Sequence, residues 1–231
     1  MKQKEDKIIR RFLCTPTKLQ VREAGEGEAP SRTITGYAIL FNTPSVPLWS
    51  DGDSEAREII DPKAVTRELL DDQDIKMTMF HDRQLILARS NNGEGTLSYD
   101  IDERGVSFAF DAPKTVDGDK ALELVRRGDI SGCSFAFSTL YFDTDFVERQ
   151  SQIKNGFNKV TYRVKAITGI YDFTLAADPA YPDTTAETRE FVAGLREPKA
   201  ETEEKTEEPE DNRAAREQIS EMRRAAGKNL L

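Results

Sequence analysis

Apolar and polar residues alternate in short runs along most of the chain, as they do in β-strands that bury one face. The alternation predicts strands at 18–23, 32–41, 75–81, 134–142, 159–166 and 170–176, and a meander at 85–89, 96–101 and 106–111. Helix formers behind capping residues predict helices at 61–71, 117–127 and 185–195. Many short strands with helices between them predict a mainly β fold of the α+β class, a small barrel or closed sheet decorated by helices.

The alternating pattern ends near residue 195. Residues 196–211 hold no apolar side chain larger than alanine or proline. They cannot bury enough surface to offset the entropy of ordering, so we expect a disordered acidic linker. Helix formers return at 212–231, where few large apolar residues predict only a short C-terminal helix or tail. The predicted organisation is therefore a folded domain at 1–195, with its core at about 15–190, followed by the linker and the tail.

Composition and charge argue against nucleic-acid-binding, membrane-spanning and secreted classes of protein. The net charge of -9 argues against general nucleic-acid binding, which needs a basic surface. No apolar run approaches the roughly 20 residues that span a bilayer, so we predict no membrane span. The charged start leads into no apolar segment of a secretory signal. The two cysteines, Cys14 and Cys133, form neither a disulfide framework nor a zinc motif, which predicts a reducing, cytoplasmic setting.

His81 is the only histidine in the chain, so a histidine-based mechanism within one subunit must use it. Alternation along its predicted strand places it on the same face as Met77 and Met79. The alternative is an inert, hydrogen-bonded histidine at a strand end. A metal site is disfavoured because such a site needs several ligands and the sequence has no Cys/His cluster.

Ser134 begins a predicted strand directly after a small-residue turn. Gly132 permits close backbone approach or an unusual torsion there, as a nucleophile with nearby amide donors requires. Alternation directs Ser134 away from Phe135 and Phe137, which face the core. The alternative is an ordinary strand start. Cys133 is a rival nucleophile, but alternation aims it inward as a small apolar filler.

Asp172 is an acid in the middle of an otherwise apolar strand. Burying an unpaired carboxylate costs free energy of folding, so we expect Asp172 to have a partner. Histidine would be that partner in a catalytic triad. A solvent-facing acid or an arginine pair is the alternative, and the sequence leaves both open.

Several segments together resemble, in order and at suitable spacing, the prohead (head maturation) protease family of tailed bacteriophages. They are FHD at 80–82, GDISGCSFAF at 128–137, IYDFT at 170–174 and DPAYPDT at 178–184, with GYAILFN at 36–42 and IIDPKAV at 59–65 as the family's opening segments. The resemblance spans roughly residues 15 to 190.

The resemblance implies a fold similar to the herpesvirus assemblins, a closed β-barrel surrounded by α-helices, and serine endopeptidase activity. The family's histidine falls on His81, its serine on Ser134, and its third member, an acid, on Asp172. Cys133 and Ala136 depart from the aliphatic residue and the glycine that are commoner in the family. No metal or cofactor is implied.

By the same resemblance, the substrates are the scaffolding segment of the major capsid protein or a separate scaffold, and the protease itself. The implied place of action is the assembling procapsid in the host cytoplasm, and a homodimer is possible. Two other readings stay open. One is a non-enzymatic capsid assembly factor that binds capsid protein or scaffold through its tail, and the other is a cysteine protease that uses Cys133 and His81.

Overall fold

The structure is a computed structural model that describes residues 8–15, 17–25 and 29–177. All of these residues belong to one compact unit, Met1–Ala193. The predicted helix at 185–195, the acidic linker and the C-terminal tail lie outside the described residues, as does the segment at 178–184.

The described residues form fourteen strands, two α-helices and one short 3₁₀ helix. The strands are β1 Ile8–Thr15, β2 Gln20–Val21, β3 Thr33–Leu40, β4 Trp49–Asp51, β5 Ser54–Ile60, β6 Asp74–Met79, β7 Asp82–Asn91, β8 Glu94–Gly95, β9 Leu97–Ile101, β10 Gly105–Asp111, β11 Gly132–Leu140, β12 Val147–Lys154, β13 Phe157–Val164 and β14 Gly169–Ala176. The helices are the 3₁₀ helix Pro62–Ala64, α1 Arg67–Asp71 and α2 Val116–Arg127. The mainly β, α+β class is confirmed.

These strands form three sheets. The largest has six strands in the order β1-β11-β14-β6-β7-β8, and two four-stranded sheets have the orders β2-β3-β10-β9 and β12-β13-β5-β4. Each order is open, so hydrogen bonds among the described residues do not close a barrel. The predicted meander is confirmed only for its last two strands, because β9 pairs antiparallel with β10, whereas β7 pairs with β6 and β8 in a different sheet. The assemblin-like closed barrel stays a prediction.

The middle of the six-stranded sheet is deeply buried. Strand β11 pairs antiparallel with β14, which pairs parallel with β6. Every residue of β11 except the last is buried, so both of its faces are covered. Phe135 and Phe137 stack within this core at 5.1 Å between ring centroids, and Phe173 of β14 is also fully buried. The sheet centre is thus a rigid base for side chains that project from it.

Helix α2 confirms the helix predicted at 117–127. Thr115 caps its start by accepting a hydrogen bond from the Gly118 backbone, and Gly128 ends it in the left-handed conformation. The helix predicted at 61–71 is interrupted, because Val65 is extended and Thr66 caps a separate helix by accepting from Leu69. Neither α-helix of the described residues is long and apolar enough to cross a membrane.

Strand β12 has no counterpart in the predictions from sequence. All of its residues except Val147 are exposed, so the strand lacks the apolar alternation that marks a half-buried strand. Backbone pairing with β13 over its whole length defines it instead.

Asp74, at the start of β6, is held in a charged cluster on the surface. Arg89 of β7 donates to it from Nε at 2.6 Å and from Nη2 at 2.9 Å, and Lys76 Nζ donates at 2.7 Å. These hydrogen bonds, with that from Arg89 foremost, lower the pKa of Asp74 to about 2. The cluster ties the first residue of β6 to its neighbouring strand.

We expect Asp74→Asn to remove a pH-dependent part of the stability. The folded-state pKa lies below the unfolded value of about 3.9, so the carboxylate stabilises the fold above that value, and this contribution is lost as the pH falls through about 2. The side chain is 37% exposed, so solvent screening limits the loss at neutral pH to less than about 1 kcal/mol. Urea unfolding measures the free energy of unfolding at neutral and strongly acid pH. An equal loss of unfolding free energy at the two pH values would contradict the prediction.

Candidate active site

His81 lies in the two-residue turn between β6 and β7, and not on a strand as predicted. Both turn residues, Phe80 and His81, have a φ of 56°. The flanking residues Met79 and Asp82 pair across the hairpin. A left-handed φ is unusual for residues of this size, and it ends the alternation that placed His81 on the face of Met77. The orientation of the imidazole is therefore set by the turn.

Ser134 and Asp172 come to the same face of the six-stranded sheet through the pairing of β11 with β14. Ser134 lies opposite Thr174, and Ala136 lies opposite Asp172. Directly opposed residues of an antiparallel pair project to the same side, as do residues two apart on one strand. The serine, the aspartate and Thr174 thus form one polar patch.

The structure brings all three predicted site residues together. His81 Nε2 lies 2.9 Å from Ser134 Oγ, and His81 Nδ1 lies 2.7 Å from Asp172 Oδ1. The Asp172 side chain is only 9% exposed. A carboxylate that accepts from Nδ1–H holds the imidazole in the tautomer whose Nε2 can accept the serine proton. The arrangement can therefore withdraw a proton from the Ser134 hydroxyl.

The Ser134 hydroxyl has a second hydrogen-bonding neighbour in strand β1. Its Oγ lies 3.1 Å from the backbone oxygen of Leu13, to which it donates. A hydroxyl has one proton, so it cannot donate to Leu13 and to His81 Nε2 at the same time. Ser134 is also completely buried. Chemistry at Oγ therefore requires the hydroxyl to turn toward His81 and the covering atoms to move aside for a substrate.

Cys133, the rival nucleophile, is buried within the core. Its Sγ lies 3.5 Å from the backbone oxygen of Ser134. Because it neighbours Ser134 on β11, strand alternation directs its thiol to the opposite face of the sheet from His81. This position matches the apolar filler expected from the sequence.

Thr174 and Thr78 join the site without having been predicted as site residues. Thr174 Oγ1 accepts a hydrogen bond from the His81 backbone N–H at 2.8 Å and another from Thr78 Oγ1 at 2.9 Å. The one signal in the sequence was that Thr174 shares the face of Asp172 on the predicted strand. In the described part of the chain, no three His, Cys, Asp or Glu side chains are grouped so as to hold a metal ion.

Comparison with known proteins places the chain in a family. A family profile described as the caudovirus prohead serine protease matches residues 17–196, a range that includes His81, Ser134 and Asp172. A search of curated proteins found no match. Among solved structures, the chain is similar to the bacteriophage T4 capsid assembly protease, with 11% sequence identity and a TM-score of 0.36 over 73% of this chain and 97% of that one. On the extent of the profile match, the chain belongs to the caudovirus prohead serine protease family.

Proposed function

We propose that this chain is a serine endopeptidase of capsid maturation in which Ser134 is the nucleophile, His81 the general base and Asp172 the residue that orients His81. The observation that carries the proposal is the position of the His81 ring, with Nδ1 2.7 Å from Asp172 Oδ1 and Nε2 2.9 Å from Ser134 Oγ. Membership in a family of serine proteases supports the assignment independently.

In the first half of the reaction, Ser134 Oγ attacks the carbonyl carbon of the scissile peptide bond while its proton passes to His81 Nε2. The tetrahedral intermediate collapses, the carbon–nitrogen bond breaks, and the same proton passes to the leaving amine. The product is an ester between Ser134 and the acyl part of the substrate. A water molecule then attacks this ester, gives its proton to His81, and the proton returns to Ser134 Oγ as the acid is released.

Asp172 stabilises the cationic imidazole that forms at each proton transfer. Its carboxylate is almost fully buried, and a buried charge needs a partner. Its hydrogen bond to His81 Nδ1 provides one in the resting state, and the attraction increases when the ring becomes charged.

Family membership supports protein substrates of the capsid itself. The proposed substrates are a scaffold protein or the scaffolding segment of the major capsid protein, together with this chain. Cleavage would take place inside the assembling procapsid in the host cytoplasm. The net charge of -9 favours protein partners over direct binding to nucleic acid. We also propose that two copies of the chain form a homodimer.

The test is to co-express the chain with the capsid and scaffold proteins of its phage and to determine their termini by mass spectrometry. We expect new termini in the capsid or scaffold protein when the intact protease is present. The control is the same expression with Ser134→Ala, where these termini should be absent. Shells that assemble with the chain incorporated while every protein keeps its original termini would favour the non-enzymatic assembly factor instead.

A further inference from the structure

The turn that carries His81 has a backbone conformation that its own residues do not favour. A two-residue hairpin turn with both φ values positive normally contains Asn-Gly or Asp-Gly, because these residues tolerate the left-handed region. Here the two positions are Phe80 and His81, each at 56°. Such a conformation persists only where the surroundings determine it. Contacts outside the turn must therefore hold it in place.

Two hydrogen bonds from the turn to β14 supply that hold. Phe80 N–H donates to the Leu175 backbone oxygen at 3.1 Å, and His81 N–H donates to Thr174 Oγ1 at 2.8 Å. The first uses a backbone oxygen that any residue would offer. The second depends on a hydroxyl at position 174, so it depends on the amino-acid sequence.

The Thr174 hydroxyl is itself held firmly. The residue is fully buried on a strand that is paired on both sides, with Ser134 of β11 as one neighbour and Thr78 of β6 as the other. Thr78 Oγ1 donates to Thr174 Oγ1 at 2.9 Å. With His81 N–H, this donor occupies both acceptor positions of the hydroxyl oxygen. The oxygen is thus a fixed point at the centre of the sheet.

We propose that Thr174 is a positioning residue, whose hydroxyl holds the His81 backbone so that the imidazole lies between Asp172 and Ser134. Three groups of His81, namely its N–H, Nδ1 and Nε2, bind three residues on two adjacent strands. The backbone contact locates the ring, and the two ring contacts orient it. This inference rests on the proposed function of the same site.

The decisive variant is Thr174→Val, which keeps the shape of the side chain and removes the hydroxyl. His81 N–H then loses its acceptor, and the turn can relax and carry the imidazole away from its partners. Misplacement on the scale of 1 Å can lower a rate about 100-fold, so we expect kcat to fall by about 10- to 100-fold with KM changed less than about twofold. Thr174→Ser keeps the hydroxyl and should restore most of kcat.

A matched control is Thr139→Val in the same strand as Ser134. Thr139 is also fully buried, and its Oγ1 donates to the Ala166 backbone oxygen at 2.7 Å, away from His81. The change removes a buried threonine hydroxyl of the same kind. It should lower the melting temperature as Thr174→Val does, whereas kcat should stay at the level of the unchanged protein.

A second readout follows His81 directly, because it is the only histidine in the chain. In protein carrying Ser134→Ala, which prevents self-cleavage, the Nδ1–H proton bonded to Asp172 should give one sharp downfield NMR signal. We expect Thr174→Val to broaden or abolish this signal, and Thr174→Ser and Thr139→Val to preserve it. A purely structural role of Thr174 would lower stability and leave the signal intact.

The outcomes separate the two claims. If Ser134→Ala still cleaves, the proposed function fails. If Ser134→Ala is inactive while Thr174→Val keeps both the original kcat and the Nδ1–H signal, only the positioning role is overturned. Should Thr174→Val not fold, Thr174→Cys replaces it, because a thiol is a much weaker acceptor than the hydroxyl of Thr174→Ser. Equal kcat for the cysteine and serine variants would then overturn the inference.

Discussion

Ser134→Ala is expected to lower the rate of peptide cleavage by at least about 10⁴-fold while the fold is retained. The substitution removes one oxygen atom from the polar face of β11, while the opposite face keeps Phe135 and Phe137 packed in the core. It deletes the atom that we propose forms the ester with the substrate, and no other described hydroxyl lies within hydrogen-bonding distance of His81 Nε2. The measurement is the rate of cleavage of a purified substrate, with circular dichroism to check the fold.

Covalent labelling distinguishes the serine from its neighbour. A fluorophosphonate reacts with an activated serine, so the unchanged protein should gain the label on the peptide that contains Ser134. Cys133→Ala is the matched control, since it removes a side chain of similar size one residue away on the opposite face of β11. It should keep both the label and the cleavage rate. Loss of cleavage in Cys133→Ala, with activity retained in Ser134→Ala, would show that the nucleophile is the Cys133 thiol and not the Ser134 hydroxyl.

Asp172→Asn is expected to lower kcat by about 10⁴-fold with little change in structure. The carboxylate only accepts hydrogen bonds, and so it keeps the proton of His81 on Nδ1 and leaves Nε2 free to accept from Ser134. An amide can instead donate its N–H to Nδ1, which moves the ring proton to Nε2 and blocks proton transfer from the hydroxyl. The uncharged amide also no longer stabilises the imidazolium. Single-turnover kinetics with a substrate peptide measures this loss.

Asp74→Asn is the control for this prediction. Asp74 is also a hydrogen-bonded aspartate on the six-stranded sheet, but its partners are Arg89 and Lys76 and not His81. Its substitution should leave kcat at neutral pH unchanged. Asp172→Asn with the original kcat would show that His81 is oriented by other contacts, and the carboxylate would lose its assigned role.

Alternation of side chains was a reliable guide where the local pattern is strong. It correctly separates Ser134 from the core-facing phenylalanines on β11, and Asp172 and Thr174 from Phe173 on β14, because side-chain direction repeats every two residues on a strand. Helix α2 was equally predictable, since the chain carries its own start and stop signals in Thr115 and Gly128.

The same reasoning failed at His81. The predicted strand continued to that residue because the apolar alternation of β6 gives no sign of ending. Phe80 and His81 lack the glycine or asparagine that marks a two-residue turn. The hydrogen bonds that stabilise the turn come from Thr174 and Leu175, more than ninety positions later in the chain. No local pattern contains that information, and for the same reason the role of Thr174 was not predicted.

Sequence alone was sufficient to name the three candidate groups that the structure brings together: a single histidine, a serine at a strand start and a carboxylate in an apolar strand, in the order typical of one protease family. Their meeting is a property of the folded molecule. Their proximity depends on the register of β11 against β14, on the parallel pairing of β14 with β6, and on a left-handed turn. These features bring His81 together with Ser134, 53 positions later in the chain, and with Asp172, 91 positions later. Non-local contacts decide such features, because the backbone energies of short segments are too similar to select one register or one turn by themselves.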